Sequence, residues 1–305
     1  MPATVTHAVA LIGLGSMGLG MARSLLAAGH AVSGYDVTPA ALAALVAAGG
    51  RAASSPADAA TGADITVTVV VNAAQTETVL FGEGGAAAVM SPGSVIISCA
   101  TMAPDAARKL AQLCAEQGVL YLDAPMSGGA ARAGTGELTF MASGTPAAFA
   151  AARPALDAMA GKVYELGDAA GIGASFKMVN QLLAGVHIAA ACEAITFAGK
   201  LGLDIAKVYE VITASAGNSW MFENRVPHIL EGDYAPRSAV NIFTKDLGIV
   251  SDIGRAETFP LPLAASALQL FLMTAAAGMG RDDDASPARL IAQITGIDLP
   301  PAKAP

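Results

Sequence analysis

Charge is scarce in this chain: only 14% of its 305 residues are Asp, Glu, Lys or Arg, and no run of basic residues occurs. With a net charge of −8 as well, a nucleic-acid surface is excluded, because it needs clustered Lys and Arg. Cysteine is nearly absent. Cys99, Cys114 and Cys192 have neither metal-ligand spacing nor the even number of a disulfide framework, so they read as buried thiols in a reducing cytoplasm, and no metal is expected. The opening segment MPATVTHAVALIGLG lacks a basic n-region and a cleavage site, so no signal peptide is expected. Long uncharged runs are few. The stretch from Thr258 to Gly280 is long enough to span a bilayer, but Pro260, Pro262 and Gln269 interrupt it. It reads as a core helix of a soluble helical domain, and no membrane partner is expected.

What is present is apolar and small: 54% hydrophobic residues and 33 glycines, a composition suited to closely packed helices. The first half alternates apolar runs with helical patterns. AVALIGLG, AVSGYD, ITVTVVV, SVIISCA and VLYLDAP read as strands, each followed by a helical or turn segment. Near-continuous Val, Ile and Leu strands in such alternation predict a parallel sheet covered on both faces. LTFMASG and KVYELG read as extra strands closing that domain. From Gly171 onward the period becomes helical, with segments expected at 171–200, 204–215, 219–230, 238–256 and 262–278. The expected architecture is α/β: a Rossmann-type domain at residues 1–168 with a mostly parallel sheet, then an all-helical substrate and oligomerisation domain at 169–305 that begins with a long connecting helix. The tail LPPAKAP is expected to fray.

LIGLGSMGLG places Gly13, Leu14, Gly15, Ser16, Met17 and Gly18 between a strand and a helix. The first glycine permits a tight turn, the second lets backbone approach a pyrophosphate, and the third allows close packing of helix on sheet. Backbone N–H groups at the helix start then face the anion. Asp36 closes the next strand, near the ~20-residue offset of a ribose-binding acid. A carboxylate there accepts from both ribose hydroxyls and repels a 2′-phosphate, which selects NAD over NADP. Val71, Asn72 and Thr101 lie where two further strands end, on the edge where parallel sheets bind ligands.

Four blocks in this order resemble the β-hydroxyacid dehydrogenase family, which includes 3-hydroxyisobutyrate dehydrogenase and tartronate semialdehyde reductase. They are LIGLGSMGLGMARSLLAAGH, LDAPMSGGAARAGTGELTFMASG, FKMVNQ and FTKDLGIV, and they span nearly the whole chain. VVNAAQ, QLLAGVHIAA, AGNSWMFENR and FPLPLA resemble most the branch of the family that takes L-threonate. The resemblance implies a catalytic role for Lys177, cofactor contacts from Thr101 and Lys245, and substrate-carboxylate contacts from Ser127, Gly128 and Gly129. It implies NAD-dependent oxidation of L-threonate to 2-dehydro-L-erythronate, with 3-hydroxyisobutyrate or tartronate semialdehyde as the alternatives. The family usually has Asn four residues after the lysine; here Gln181 stands there and Asn180 precedes it.

The residues support that chemistry on their own terms. Ser127 with two glycines supplies a hydroxyl and unobstructed N–H groups, a nest suited to a carboxylate. Lys177 lies one helical turn from Asn180 and Gln181, and either carboxamide can meet a substrate hydroxyl. A lysine shielded from water beside a cationic ring has its pKa lowered toward the working range, where it can take a proton from an alcohol. Lys245 and Asp246 read as a cofactor contact with its orienting acid, or as an exposed ion pair. Asn218 and Ser219, before the only Trp, are candidates to close over a polyol acid, while Trp220 itself is a closing or a packing residue. A homodimer or homotetramer in the cytoplasm is expected. The reading from another class is a nucleotide-binding protein without turnover.

Overall fold

The structure, a computed structural model, describes residues 6–303. The first five residues of the opening segment and the last two of the tail lie outside them. Six strands form one parallel sheet: β1 (Ala8–Ile12), β2 (Ala31–Tyr35), β3 (Arg51–Ala52), β4 (Ile65–Thr68), β5 (Val95–Ser98) and β6 (Leu120–Asp123). Their order is β3-β2-β1-β4-β5-β6. The helices α1 (Gly18–Ala27), α2 (Pro39–Ala47), α3 (Pro56–Ala60), α4 (Ala73–Phe81) and α5 (Pro104–Glu116) connect them. Every residue of β4 and β5 is buried, as a sheet covered on both faces requires. Alternate residues feed two cores: Leu11, Val67, Ile97 and Leu122 pack on one face, and Ile12, Ile96 and Tyr121 on the other.

The extra strands do not join that sheet. β7 (Met126–Ser127), β8 (Leu138–Ala142) and β9 (Ala160–Glu165) make a second sheet of three strands, with α6 (Gly129–Thr135) and α7 (Pro146–Met159) between them. The physical cause is the turn of the chain at Ala124-Pro125. An antiparallel bridge ties Asp123 to Ser143, and Met126 and Ser127 then pair antiparallel with Phe140 and Thr139. β8 is thereby led away from the edge of β6.

The chain divides into two compact units, one ending at Lys177 and the other beginning at Met178. The division falls inside α8 (Ile172–Lys200). In the second unit the remainder of α8 is followed by α9 (Ile205–Thr213), α10 (Trp220–Glu231), α11 (Val240–Ala256), α12 (Pro262–Thr274) and α13 (Pro287–Thr295). Ile188, Cys192, Ile195, Phe222, Val226, Phe243, Leu247 and Phe271 form its core. α13 was not legible in the periodicity, because the acidic run before it reads as loop.

Two departures concern the apolar end of the chain. α8 and the segment Pro262–Met279 are long and apolar enough to cross a membrane by length and composition. The run over α12 was expected to be a core helix, yet only Ala264, Ala267, Phe271 and Thr274 are buried, while Leu263, Leu272 and Met273 are exposed. One face alone is core. The tail, expected to fray, is held as far as Lys303, whose backbone N–H donates to Gly232 O at 2.8 Å.

The segment before α13 is fastened by buried charge. Arg225 on α10 donates through Nη2 to Asp284 Oδ2 at 3.0 Å, and His228 Nδ1 lies 2.9 Å from Asp283 Oδ1. Burial pushes the Asp284 carboxyl above the ordinary carboxylate range, against the opposing pull of Arg225. Removing one member of a buried pair strands the other charge. Arg225→Ala is therefore expected to destabilise the second unit by about 3–5 kcal/mol, read as a shifted urea midpoint in Trp220 fluorescence.

Candidate active site

The glycine loop after β1 has the form of a dinucleotide cradle. Gly13 has φ +96°, and a Cβ there would lie 2.8 Å from Val69 O. Around a Cβ placed on Gly15 nothing lies within 4 Å, so the loop is open where a phosphate would approach. Gly18 differs from its expected part. Its Cβ would fall 1.9 Å from Gly13 O, so it permits the loop to close on the helix more than the helix to pack on the sheet. α1 has no side-chain cap and no acid in its first turn, which leaves its N-terminus suited to an anion. The sheet order reverses between β1 and β4, and ligands of open α/β sheets bind at that switch point.

Asp36 braces this loop. Its Oδ2 accepts from Leu14 N at 2.7 Å and its Oδ1 from Thr38 N at 2.8 Å. The carboxylate thus joins the turn after β1 to the start of α2, and each oxygen still has lone-pair capacity for a ribose hydroxyl. The residues present fit a bound NAD. The side chain of Leu14 is buried, so only its backbone faces the loop. Val71 and Asn72 follow β4, and Thr101 follows β5. Asn72 caps α4, its Oδ1 accepting from Gln75 N at 2.8 Å, while Val71 N donates to Gln75 Oε1 at 2.9 Å.

Lys177 is only 7% exposed, and its Nζ donates to Met126 O at 2.7 Å. It does not snorkel into solvent. Met126 immediately precedes Ser127, and the turn continues through Gly128 at φ +134° and Gly129 at φ +74°. An L side chain is strained at either angle, so the turn needs glycine and presents bare backbone. The first unit therefore gathers the lysine and the residue leading into the Ser-Gly-Gly turn.

The second unit gathers the next turn of α8 with α11. Asn180 Nδ2 donates to Gln181 Oε1 at 2.9 Å, and Gln181 Nε2 donates to Asp246 Oδ2 at 2.5 Å. Lys245 Nζ lies 2.8 Å from Asp246 Oδ1. Asp246 is buried, so the exposed ion pair offered by the sequence is not what forms. The link from Gln181 to Asp246 has no signal in local sequence, since it spans 65 positions. Asn218 and Ser219 are engaged locally: Asn218 Nδ2 donates to Thr213 O at 3.2 Å, and Ser219 Oγ caps α10 by accepting from Phe222 N at 3.0 Å. Trp220 is half exposed.

All three cysteines are buried and free, and burial pushes the Cys114 thiol up to about 12. Thiols so placed do not serve as nucleophiles. Among the described residues no group of three His, Cys, Asp or Glu is placed to hold a metal.

The parallel sheet with its switch point, the open glycine cradle and the acid at the end of β2 define a dinucleotide-binding oxidoreductase. Residues 8–167 match the family described as the NAD binding domain of 6-phosphogluconate dehydrogenase. Residues 171–291 match that described as NAD-binding of NADP-dependent 3-hydroxyisobutyrate dehydrogenase. The L-threonate dehydrogenase of Cupriavidus necator is 54% identical, covering 96% of this chain and 97% of its own. That of Haemophilus influenzae is 48% identical, covering 96% and 97%. A crystal structure described as 3-hydroxyisobutyrate dehydrogenase from Salmonella typhimurium superposes with a TM-score of 0.89 at 48% identity, covering 92% of this chain and 99% of that one. The chain belongs to the 3-hydroxyisobutyrate dehydrogenase-like family of β-hydroxyacid dehydrogenases, and it is an NAD-binding dehydrogenase.

The cradle yields a direct test. Since a Cβ at Gly15 meets no protein atom within 4 Å, Gly15→Ala should leave thermal unfolding without cofactor unchanged. Titration calorimetry should show NAD affinity reduced about tenfold or more, because the methyl stands where a pyrophosphate approaches.

Proposed function

We propose that the protein oxidises L-threonate to 2-dehydro-L-erythronate with NAD, and that Lys177 exchanges the alcohol proton. The substrate reading is supported by relatives of 47–54% identity described as L-threonate dehydrogenases and covering nearly the whole chain. The single observation that carries the chemistry is the buried Lys177 amine on the carbonyl of Met126 at 2.7 Å. Bound NAD supplies the hydride acceptor. Lys177, in its neutral form, takes the hydroxyl proton as the carbonyl forms, and in the reverse direction its ammonium returns it. The backbone of Ser127, Gly128 and Gly129, with the Ser127 hydroxyl, holds the substrate carboxylate. Asn180 is assigned to a substrate hydroxyl through its carbonyl oxygen, since its own amide donates to Gln181, whose amide in turn donates to Asp246. Lys245 is kept as a cofactor contact oriented by Asp246, and Val71, Asn72 and Thr101 as residues lining the nicotinamide half. Asn218 and Ser219 keep a substrate role only through atoms their own loop does not use.

A second reading takes 3-hydroxyisobutyrate, in line with the description of the Salmonella structure. A panel of four-carbon aldonates, 3-hydroxyisobutyrate and glycerate, the reduced partner of tartronate semialdehyde, each offered with NAD, separates the readings. The expected result is NADH formation fastest from L-threonate; none from it defeats the first reading. Lys177→Ala is expected to lower kcat about 10²–10⁴-fold with NAD affinity retained.

Cofactor choice rests on Asp36, whose charge opposes a 2′-phosphate. Asp36→Ser should lower kcat/KM for NAD about tenfold and narrow the preference over NADP, measured by steady-state kinetics with both cofactors. A homodimer or homotetramer is supported by the exposed apolar side chains of Val179, Leu183 and Phe197 on α8 and of Leu263 and Met273 on α12. We place the protein in the cytoplasm, with the NAD pool.

A further inference from the structure

At the start of α8, Gly171, Gly173 and Ala174 are buried at the carboxyl ends of β6 and β8, where N–H groups that a helix leaves unpaired need protein partners. Two side chains accept from these three. Asp123 Oδ2 accepts from Gly171 N at 2.8 Å and from Ala174 N at 2.9 Å, and Ser143 Oγ accepts from Gly173 N at 2.9 Å. The Ser143 hydroxyl in turn lies 3.4 Å from Asp123 Oδ2. The two strand ends are locked together by paired backbone bonds, Asp123 N to Ser143 O at 3.0 Å and Ser143 N to Asp123 O at 2.8 Å. Asp123 is 1% exposed and Ser143 fully buried. Gly173 lets the helix come this close, since a Cβ there would lie 2.3 Å from Met141 O.

These contacts close a small loop around the amine. Ala174 is one turn before Lys177 on the same face of α8. Three residues after Asp123, beyond the stiff Ala124-Pro125 step, comes Met126, whose carbonyl accepts from Lys177 Nζ. We propose that Asp123, assisted by Ser143, is a positioning residue that sets the first turn of α8 against the end of β6 and thereby fixes the Lys177 amine at the Met126 carbonyl. The inference rests on the reading of Lys177 as the proton-exchanging group and adds a residue outside it. A hook of this kind needs an acceptor oxygen more than a negative charge. Burial pushes the Asp123 carboxyl up while the N–H groups of Ala174 and Gly171 pull it down, so a neutral amide is a fair substitute.

The test is a kinetic split with a conservative rescue. Asp123→Ala should bind NAD as the parent does and lose at least about tenfold in kcat, with KM for the hydroxy acid within about threefold. Asp123→Asn, whose amide oxygen can still accept from Gly171 and Ala174, should recover most of that loss. A folded Asp123→Ala with parental kcat overturns the proposal, and so does an Asn variant as impaired as the Ala variant. Should Asp123→Ala fail to fold, Ser143→Ala carries the same test: lowered kcat at constant KM supports the hook, and parental kcat defeats it. Lys177→Ala, assayed alongside, separates the levels. Full activity there overturns the lysine reading and the hook with it, whereas an inactive Lys177→Ala beside a fully active Asp123→Ala overturns the hook alone.

Discussion

An ammonium group taken out of water loses its hydration, and the loss must be met by dipoles or charges held in place before the proton moves. At Lys177 the carbonyl of Met126 is one such group, at 2.7 Å on an amine only 7% exposed. Much of the first unit serves that placement. The chain leaves β6, turns at Ala124-Pro125 and begins a second sheet, which brings the Met126 carbonyl up to the start of α8. The same turn leads directly into Ser127, Gly128 and Gly129, so the Lys177 amine and the proposed carboxylate nest are set by one short segment.

The cofactor end obeys a parallel constraint. A backbone loop able to accept a pyrophosphate has to leave N–H groups without permanent partners, and such a loop needs bracing from outside. Asp36 provides the brace by binding Leu14 N and Thr38 N. The residue proposed to select the ribose is therefore also the one that shapes the glycine turn. In the second unit Asp246 combines roles in a similar way, since it meets the amide of Gln181 and the ammonium of Lys245 from a buried position.

Much of the architecture was legible because parallel strands must be apolar on both faces and helices on one. ITVT and VIIS cannot be read otherwise once helices flank them. The second sheet was not legible in the same way, because LTFMASG looks alike whether it extends a six-stranded sheet or starts another. Its placement hangs on a bridge between Asp123 and Ser143, 20 positions apart. α12 shows the converse limit: its composition signals burial, but the extent of burial depends on which neighbours arrive, and they cover a single face.

For the candidate site, local spacing pointed to the glycine fingerprint, Asp36 and the Ser-Gly-Gly turn, because each would act through backbone conformation or one charged tip at a set point along the chain. Lys177 stood out only through its company and the family resemblance. Residue order alone therefore determined the fold class and which groups to propose. Only the tertiary structure decided that Asp123 and Ser143 hold the first turn of α8, that Gln181 answers to Asp246, and that Asn218 and Ser219 serve their own loop. Hydrogen bonds depend on distance and direction in space, and the partners in the first two cases are brought together by strand and helix packing rather than by proximity along the sequence.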